Sequence, residues 1–329
     1  MANILNCAVL DDYQDAALGA ADWQRLGPQV KVERFANHID GEDALVNALS
    51  GFEIIVAMRE RTAFTASLLA RLPKLKLLVT TGMVNAAIDK TAARTLGIDV
   101  AGTRGSVGPA AELAWGLLLA LKRNIAGEHE NFRAGGAQWQ LSTGGDLMGA
   151  TLGVVGLGKL GQRLAGYGKA FDMNVIGWSK NNSPERCATL GIGYAATLAE
   201  LLARADVVSL HLALNNETAG IIGARELALM KPAAVIVNTS RGPLIDEGAL
   251  IQALRTGRIG GAALDVYDRE PLPADHPLRH APNLIATPHL GYVTRETYAI
   301  YYGDAVDGIA GWLSGDPVRI LNGAGVTGN

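Results

Sequence analysis

Residues 151–161 read TLGVVGLGKLG. This apolar, valine-rich run passes into glycines at 156, 158 and 161 and then into KLGQRLAGYGKAF, whose apolar residues recur at helical spacing. Strand, glycine turn and helix in that order form a phosphate cradle. In the spacing G-x-G-x-x-G, Gly156 permits the tight turn, Gly158 lets a pyrophosphate approach the backbone, and Gly161 lets helix and strand pack closely. The first helical N–H groups, at Lys159, Leu160 and Gly161, and the positive end of the helix dipole then face the phosphate charge. The spacing alone is a weak signal, but a buried strand before it and a helix after it make it a dinucleotide site.

Outward from the turn, apolar runs and amphipathic stretches alternate in both directions. Downstream, NVIGW, IGYAA, DVVSLHL, AAVIVNTS, GGAALDV and NLIATP read as strands, and LAELLARA, ELALMK and DEGALIQALRT as helices. Upstream, NCAVL, KVERF, EIIVAM, LKLLVT and IDVAG are strand candidates, and AALGAADWQRL, GEDALVNALSG, TASLLARLP and DKTAARTLG helix candidates. This alternation predicts an α/β protein with two doubly wound parallel sheets, Rossmann-like or flavodoxin-like, and ligands at the carboxyl ends of the strands in a cleft between the domains. Residues 107–133 read as one long helical connection interrupted at Gly127, followed by a glycine-rich loop from Ala134 to Gly149. The last helical stretch, TRETYAIYYGDAVDGIAGWLSG, outlasts the second sheet and is expected to return to the first domain.

The chain has 329 residues, about half of them apolar, and a net charge of -3. That length suggests two domains. The basic residues are scattered, which predicts neither nucleic-acid binding nor a polybasic membrane patch. The longest apolar run, Leu113 to Leu121, falls well short of the ~20 residues of a membrane span. The amino-terminal MANILNCAVLDDYQ lacks a basic leader and reads as a first strand. Cys7 and Cys187 have no metal-ligand spacing and fit free thiols in a reducing cytoplasm. The histidines show no metal-binding pattern either, so no metal is expected.

Three polar residues fall just past strand ends of the second series: Arg241 in NTSRGP, Glu270 in DVYDREP and His289 in TPHLGY. Parallel strands would bring all three to one edge. Hydride transfer between a ketone and an alcohol needs a proton donor or acceptor near neutral pH, which is histidine's range. A carboxylate beside the histidine would fix its ring, and a guanidinium can grip a substrate carboxylate in a fixed fork. Singly each reads as an ordinary loop residue. Together, beyond a dinucleotide turn, they read as a reaction centre.

The motifs GLGKLG, NTSRGPLIDEGAL, ALDVYDREPLP and TPHLGY, in this order and approximate spacing, resemble the D-isomer-specific 2-hydroxyacid dehydrogenases. LPKLKLLVTTG, SVGPAAEL, SLHLALNNETAGII and LALMKPAAVIVN extend the resemblance over nearly the whole chain. It implies a nucleotide domain at 103–290 inserted into a substrate domain made of 1–102 and 291–329. It also implies Arg241 as substrate-carboxylate binder, His289 as general acid/base, Glu270 as its partner and Asp265 as a contact for the nicotinamide carboxamide. Thr239, Ser240 and Gly291 join Asp265 as cofactor contacts, and a homodimer through the nucleotide domain is implied. Arg59 stands where relatives acting on larger anionic substrates carry an arginine. The loop TTGMVNAAID is implied to face the substrate, with Val84 and Ala86 where the family pattern has a glycine and an acidic residue. Ala213 stands in place of a proline, and His211 reads as a strand-end histidine without an acid/base role.

The implied reaction joins a nicotinamide cofactor to a small 2-keto or 2-hydroxy acid, with a glyoxylate or hydroxypyruvate reductase favoured over a 3-phosphoglycerate-type dehydrogenase. A nucleotide-sensing regulatory protein on the same fold is the rival from another class; the intact Arg-Glu-His set argues against it. NAD-specific folds place an acidic residue about 20 residues beyond the glycines. Here NVIGW is followed by Ser179, Lys180, Asn181 and Asn182, with Arg186 nearby. The lysine can meet a 2′-phosphate, so the sequence slightly favours NADP(H) over NAD(H).

Overall fold

A computed structural model describes residues 4–323. Two compact units divide the chain: one is made of residues up to Ser106 together with those from Val293 onward, the other of Val107–Tyr292.

In the first unit β1 (Leu5–Val9), β2 (Val30–Arg34), α1 (Glu42–Leu49), β3 (Ile54–Ala57), α2 (Ala66–Ala70), β4 (Leu77–Thr80), α3 (Lys90–Thr95) and β5 (Asp99–Gly102) build a five-stranded sheet. The pairings among its five strands are all parallel, in the order β2-β1-β3-β4-β5. The central strands Ile-Ile-Val-Ala and Leu-Leu-Val-Thr are buried at every position, as a sheet covered on both faces requires. Ile55, Leu78 and Val100 pack against Leu45, Leu49, Leu68 and Leu69 of the helices.

The second unit runs α4 (Gly108–Lys122), α5 (Ile125–Ala134), β6 (Thr151–Val155), α6 (Lys159–Ala170), β7 (Asn174–Trp178), α7 (Pro184–Leu190), β8 (Gly193–Tyr194), α8 (Leu198–Arg204), β9 (Val207–Leu210), α9 (Ala224–Leu229), β10 (Val235–Asn238), α10 (Glu247–Arg255), β11 (Gly261–Leu264) and β12 (Leu284–Ala286). Its seven parallel strands lie in the order β12-β11-β10-β9-β6-β7-β8. The strand order reverses at β6, which carries the glycine turn and has β7 on one side and β9 on the other. That reversal is the switch point at which doubly wound sheets bind nucleotides. Apolar clusters cover both faces of this sheet. The closing helix α11 (Arg295–Leu313) belongs to the first unit. There Asp304 accepts from the Arg104 backbone N–H at 2.7 Å, and Arg319 Nε donates to the Gly102 carbonyl at 3.1 Å.

Two local expectations fail, and one helix was not anticipated. AALGAADWQRL forms only a short 3₁₀ turn, Trp23–Leu26, because nearby side chains take the hydrogen bonds that a helix would use. The Asp12 carboxylate accepts from Ala16 and Ala17 N–H, and Trp23 Nε1 donates to the Ala17 carbonyl. The long helical connection breaks at Asn124, which adopts a left-handed φ of 47°, rather than at Gly127. Gly127 lies inside α5, where a Cβ would stand 2.7 Å from Asn124 Oδ1, so the glycine makes room for the asparagine. PERCATL, not recognised as a helix, forms α7 behind a Ser183 cap.

Candidate active site

The glycine turn has the geometry that its spacing implies. Gly156 sits at φ 98°, and a Cβ there would lie 2.6 Å from the His211 carbonyl oxygen. At Gly161 a Cβ would meet the Gly156 carbonyl at 1.9 Å, so helix and turn touch through hydrogen atoms alone. Gly158 differs: nothing stands within 4 Å of its missing side chain, and as the N-cap of α6 it supplies no side-chain cap. The opening N–H groups of α6 therefore face an uncovered backbone surface, which suits a bound pyrophosphate.

Three neighbouring strands carry the polar residues. Past β10, Asn238 organises the loop: its Nδ2 donates to the Arg241 carbonyl at 2.8 Å and its Oδ1 accepts from Ser240 N–H at 3.1 Å. Ser240 Oγ donates to the Leu210 carbonyl, and the Arg241 guanidinium donates to the Ser240 carbonyl at 2.7 Å. Gly242 follows, and a Cβ there would fall 2.0 Å from the Tyr267 carbonyl carbon. The Arg241 loop thus lies in backbone contact with the loop that carries Glu270. Thr239 Oγ1 is buried without a protein partner.

Past β11 and β12 the bonding is tighter. Glu270 Oε1 accepts from Tyr267 N–H at 3.0 Å, and Oε2 lies 2.6 Å from His289 Nδ1. Tyr267 also donates its hydroxyl to the Thr287 carbonyl, which ties the two loops together; burial raises its pKa to about 12. Asp265 collects three donors from the histidine loop: Thr287 Oγ1 at 2.6 Å, Leu290 N–H at 2.7 Å and Gly291 N–H at 2.8 Å. Burial nonetheless holds the Asp265 carboxyl above the usual carboxylate range. His289 itself adopts a left-handed φ of 55°, and its ring meets Tyr292 edge-on. With Nδ1 committed to the carboxylate, Nε2 is the nitrogen left for chemistry.

The model of the D-isomer specific 2-hydroxyacid dehydrogenase NAD-binding domain matches residues 115–291. A glyoxylate reductase of Aeropyrum pernix is 41% identical over 239 residues, covering 70% of this chain and 71% of the relative. This chain belongs to the D-isomer-specific 2-hydroxyacid dehydrogenases. A D-3-phosphoglycerate dehydrogenase of Methanocaldococcus jannaschii is 39% identical over 256 residues, which are 78% of this chain but only 48% of that protein. Among solved structures, phosphoglycerate oxidoreductase from Vibrio cholerae superposes with a TM-score of 0.90 at 39% identity, covering 95% of this chain and all of the other. This dehydrogenase is accordingly a nicotinamide-dependent, hydride-transferring oxidoreductase, and no helix among its described residues is long and apolar enough to cross a membrane.

Of the other anticipated positions of the dehydrogenase, Arg59, Met83 and Val84 lie in the first unit. Arg59 follows β3 at a left-handed φ of 50° and reaches the loop after β4. Its N–H donates to Thr81 Oγ1, its guanidinium donates to the Thr81 carbonyl at 3.2 Å, and its carbonyl accepts from Asn85 Nδ2. Met83 and Val84, between those contacts, are exposed. At the end of β7, Lys180 Nζ lies 2.7 Å from Glu217 Oε2, and Arg186 donates to the Leu157 carbonyl within the glycine turn. Tyr267, Thr287 and Gly242 were not singled out from the sequence. Their roles depend on contacts between separate strand ends, which spacing does not reveal.

Proposed function

We propose that this dehydrogenase reduces a short 2-keto acid of the glyoxylate or hydroxypyruvate type, with NADP(H) slightly favoured over NAD(H). The observation that carries the reading is the 2.6 Å contact between His289 Nδ1 and Glu270 Oε2, on a loop that Asp265 fastens with three hydrogen bonds. A bound nicotinamide dinucleotide supplies the hydride. Gly156, Gly158 and the N–H groups of Lys159, Leu160 and Gly161 would hold its pyrophosphate, and Ser179 and Lys180 the adenosine ribose. Thr239, with its unpartnered hydroxyl, Ser240, Asp265 and Gly291 would border the nicotinamide end.

His289 gives its Nε2 proton to the substrate oxygen, while Glu270 accepts from Nδ1–H and holds the ring. Arg241 anchors the substrate carboxylate and polarises the carbonyl; Arg59, Met83 and Val84 meet the rest of the substrate. A placed proton donor contributes ~10²–10⁴-fold. A 3-phosphoglycerate-type reaction has one observation of its own, the Arg59 guanidinium over Gly82, where a Cβ would stand 1.9 Å from NH1. Steady-state kcat/KM for glyoxylate, hydroxypyruvate, pyruvate and 3-phosphohydroxypyruvate, each with NADPH and NADH, tests the reading. Highest values for glyoxylate or hydroxypyruvate support it; no oxidation of either cofactor with any of these acids overturns it.

The same proposal includes a cytoplasmic homodimer. Its support is an exposed apolar arm on α5 and the loop after it, with Phe132, Trp139 and Met148 69%, 78% and 73% exposed and the first two rings in edge contact. A monomer seldom leaves so much aromatic surface in water. Light scattering of wild type and Trp139→Glu tests it: a dimer that the substitution weakens is expected, and a wild-type monomer refutes it.

A further inference from the structure

The loop after β7 has no carboxylate in its own sequence, yet the fold delivers one. Asn215 Oδ1 accepts from the N–H groups of Glu217 and Thr218 at 2.9 and 3.1 Å, and Thr218 Oγ1 donates to the Ala213 carbonyl at 2.7 Å. This turn after β9 holds the Glu217 backbone in a fixed place. From there the Glu217 carboxylate reaches Lys180 Nζ at 2.7 Å. The strand end that carries Lys180 abuts the glycine turn directly, since Gly156 N–H donates to the Trp178 carbonyl at 2.8 Å. The second cation here is also engaged: Arg186 donates to the Leu157 carbonyl at 2.9 Å.

We infer that Glu217 is a specificity-determining residue for the cofactor: it occupies Lys180, and its charge opposes a 2′-phosphate at the end of β7. The inference rests on the proposed placement of the adenosine ribose beside Ser179 and Lys180. An acidic residue at that place ordinarily comes from the strand end itself; here a neighbouring loop supplies it across the switch point. With Glu217 in place the lysine is partly neutralised and discrimination between the two cofactors is small. Without it, Lys180 is free to meet the phosphate. Both side chains are about two-thirds exposed, so solvent and salt weaken the effect without abolishing it.

The test is calorimetric binding of 2′,5′-ADP and 5′-AMP at low ionic strength to wild type, Glu217→Gln and Lys180→Ala, with thermal melts to verify folding. These ligands carry the adenosine end of each cofactor and need no keto acid. Glu217→Gln is expected to tighten 2′,5′-ADP about fivefold while 5′-AMP moves less than about twofold, and Lys180→Ala to weaken 2′,5′-ADP by a similar factor. Adding salt should erase most of both changes. A ratio of the two affinities that stays within about twofold of wild type in Glu217→Gln overturns the inference. The wild-type ratio tests the NADP(H) preference separately, so that preference can fail while Glu217 still sets the balance.

Discussion

The two parallel sheets both end in charged loops, yet only one set of loops shares its sheet with the glycine turn. At the carboxyl edge of the five-stranded sheet Asp11 and Asp12 are almost fully buried and thoroughly bonded. Asp11 accepts from Thr62 Oγ1 at 2.7 Å, faces His38 Nδ1 at 3.1 Å, and its carbonyl accepts from Arg61, which stacks over the Tyr13 ring. At the carboxyl edge of the seven-stranded sheet the carboxylates bond just as fully, and the Glu270–His289 pair repeats the Asp11–His38 one, but it stands beside the Arg241 loop on the sheet that carries the glycine turn. An aspartate past a strand end is thus no sign of chemistry by itself. The distinction lies not in the histidine–carboxylate pair, which both edges have, but in the glycine turn, which the seven-stranded sheet carries.

The sharpest way to break this contrast is to remove the histidine of the second edge. His289→Ala should lower kcat/KM by ~10²–10⁴-fold with cofactor affinity retained; near-normal turnover in that variant would take the second edge out of the mechanism. Gly242→Ala comes next, because the added methyl must push the Arg241 loop off the Tyr267–Asp268 backbone. A displacement of that kind costs on the order of 10²-fold in kcat/KM, read by steady-state kinetics alongside a lowered melting temperature. Asp11→Ala, on the first edge, should destabilise by about 2–3 kcal/mol in urea titrations and leave kcat/KM within about threefold. A large catalytic loss without destabilisation would erase the distinction between the edges.

The smallest effect concerns His211, whose Nδ1 is buried without a partner and whose pKa burial lowers to about 4. The folded protein keeps this ring neutral while the unfolded chain protonates it near 6.5, so the stability it contributes is complete at neutral pH and lost as pH falls from about 6.5 toward 4. On the order of 2 kcal/mol should disappear by about pH 4.5, and His211→Gln should flatten that part of the curve. Parallel curves for the two proteins would show that the ring is not held neutral.

The sheets were legible because fully buried parallel strands must be written as short apolar runs, and every such run from NCAVL to NLIATP forms a strand. Gly156 and Gly161 were legible for a related reason: backbone contact there admits no side chain. What sequence did not yield is the bonding between loops. Asp265 accepts from residues more than twenty positions away, Gly242 packs on Tyr267, and Lys180 meets Glu217 across the switch point. Local sequence also misled where a single side chain overruled periodicity, as Asp12 does beyond β1 and Asn124 does between α4 and α5.

His289 is held in the left-handed region, where a residue with a side chain costs on the order of 1 kcal/mol and glycine almost nothing. Glycine would relieve that backbone cost, but it would also surrender the Glu270 hydrogen bond and the Tyr292 ring contact, and with them the proton donor. Among homologous chains, a glycine here would mark a copy released from catalytic duty.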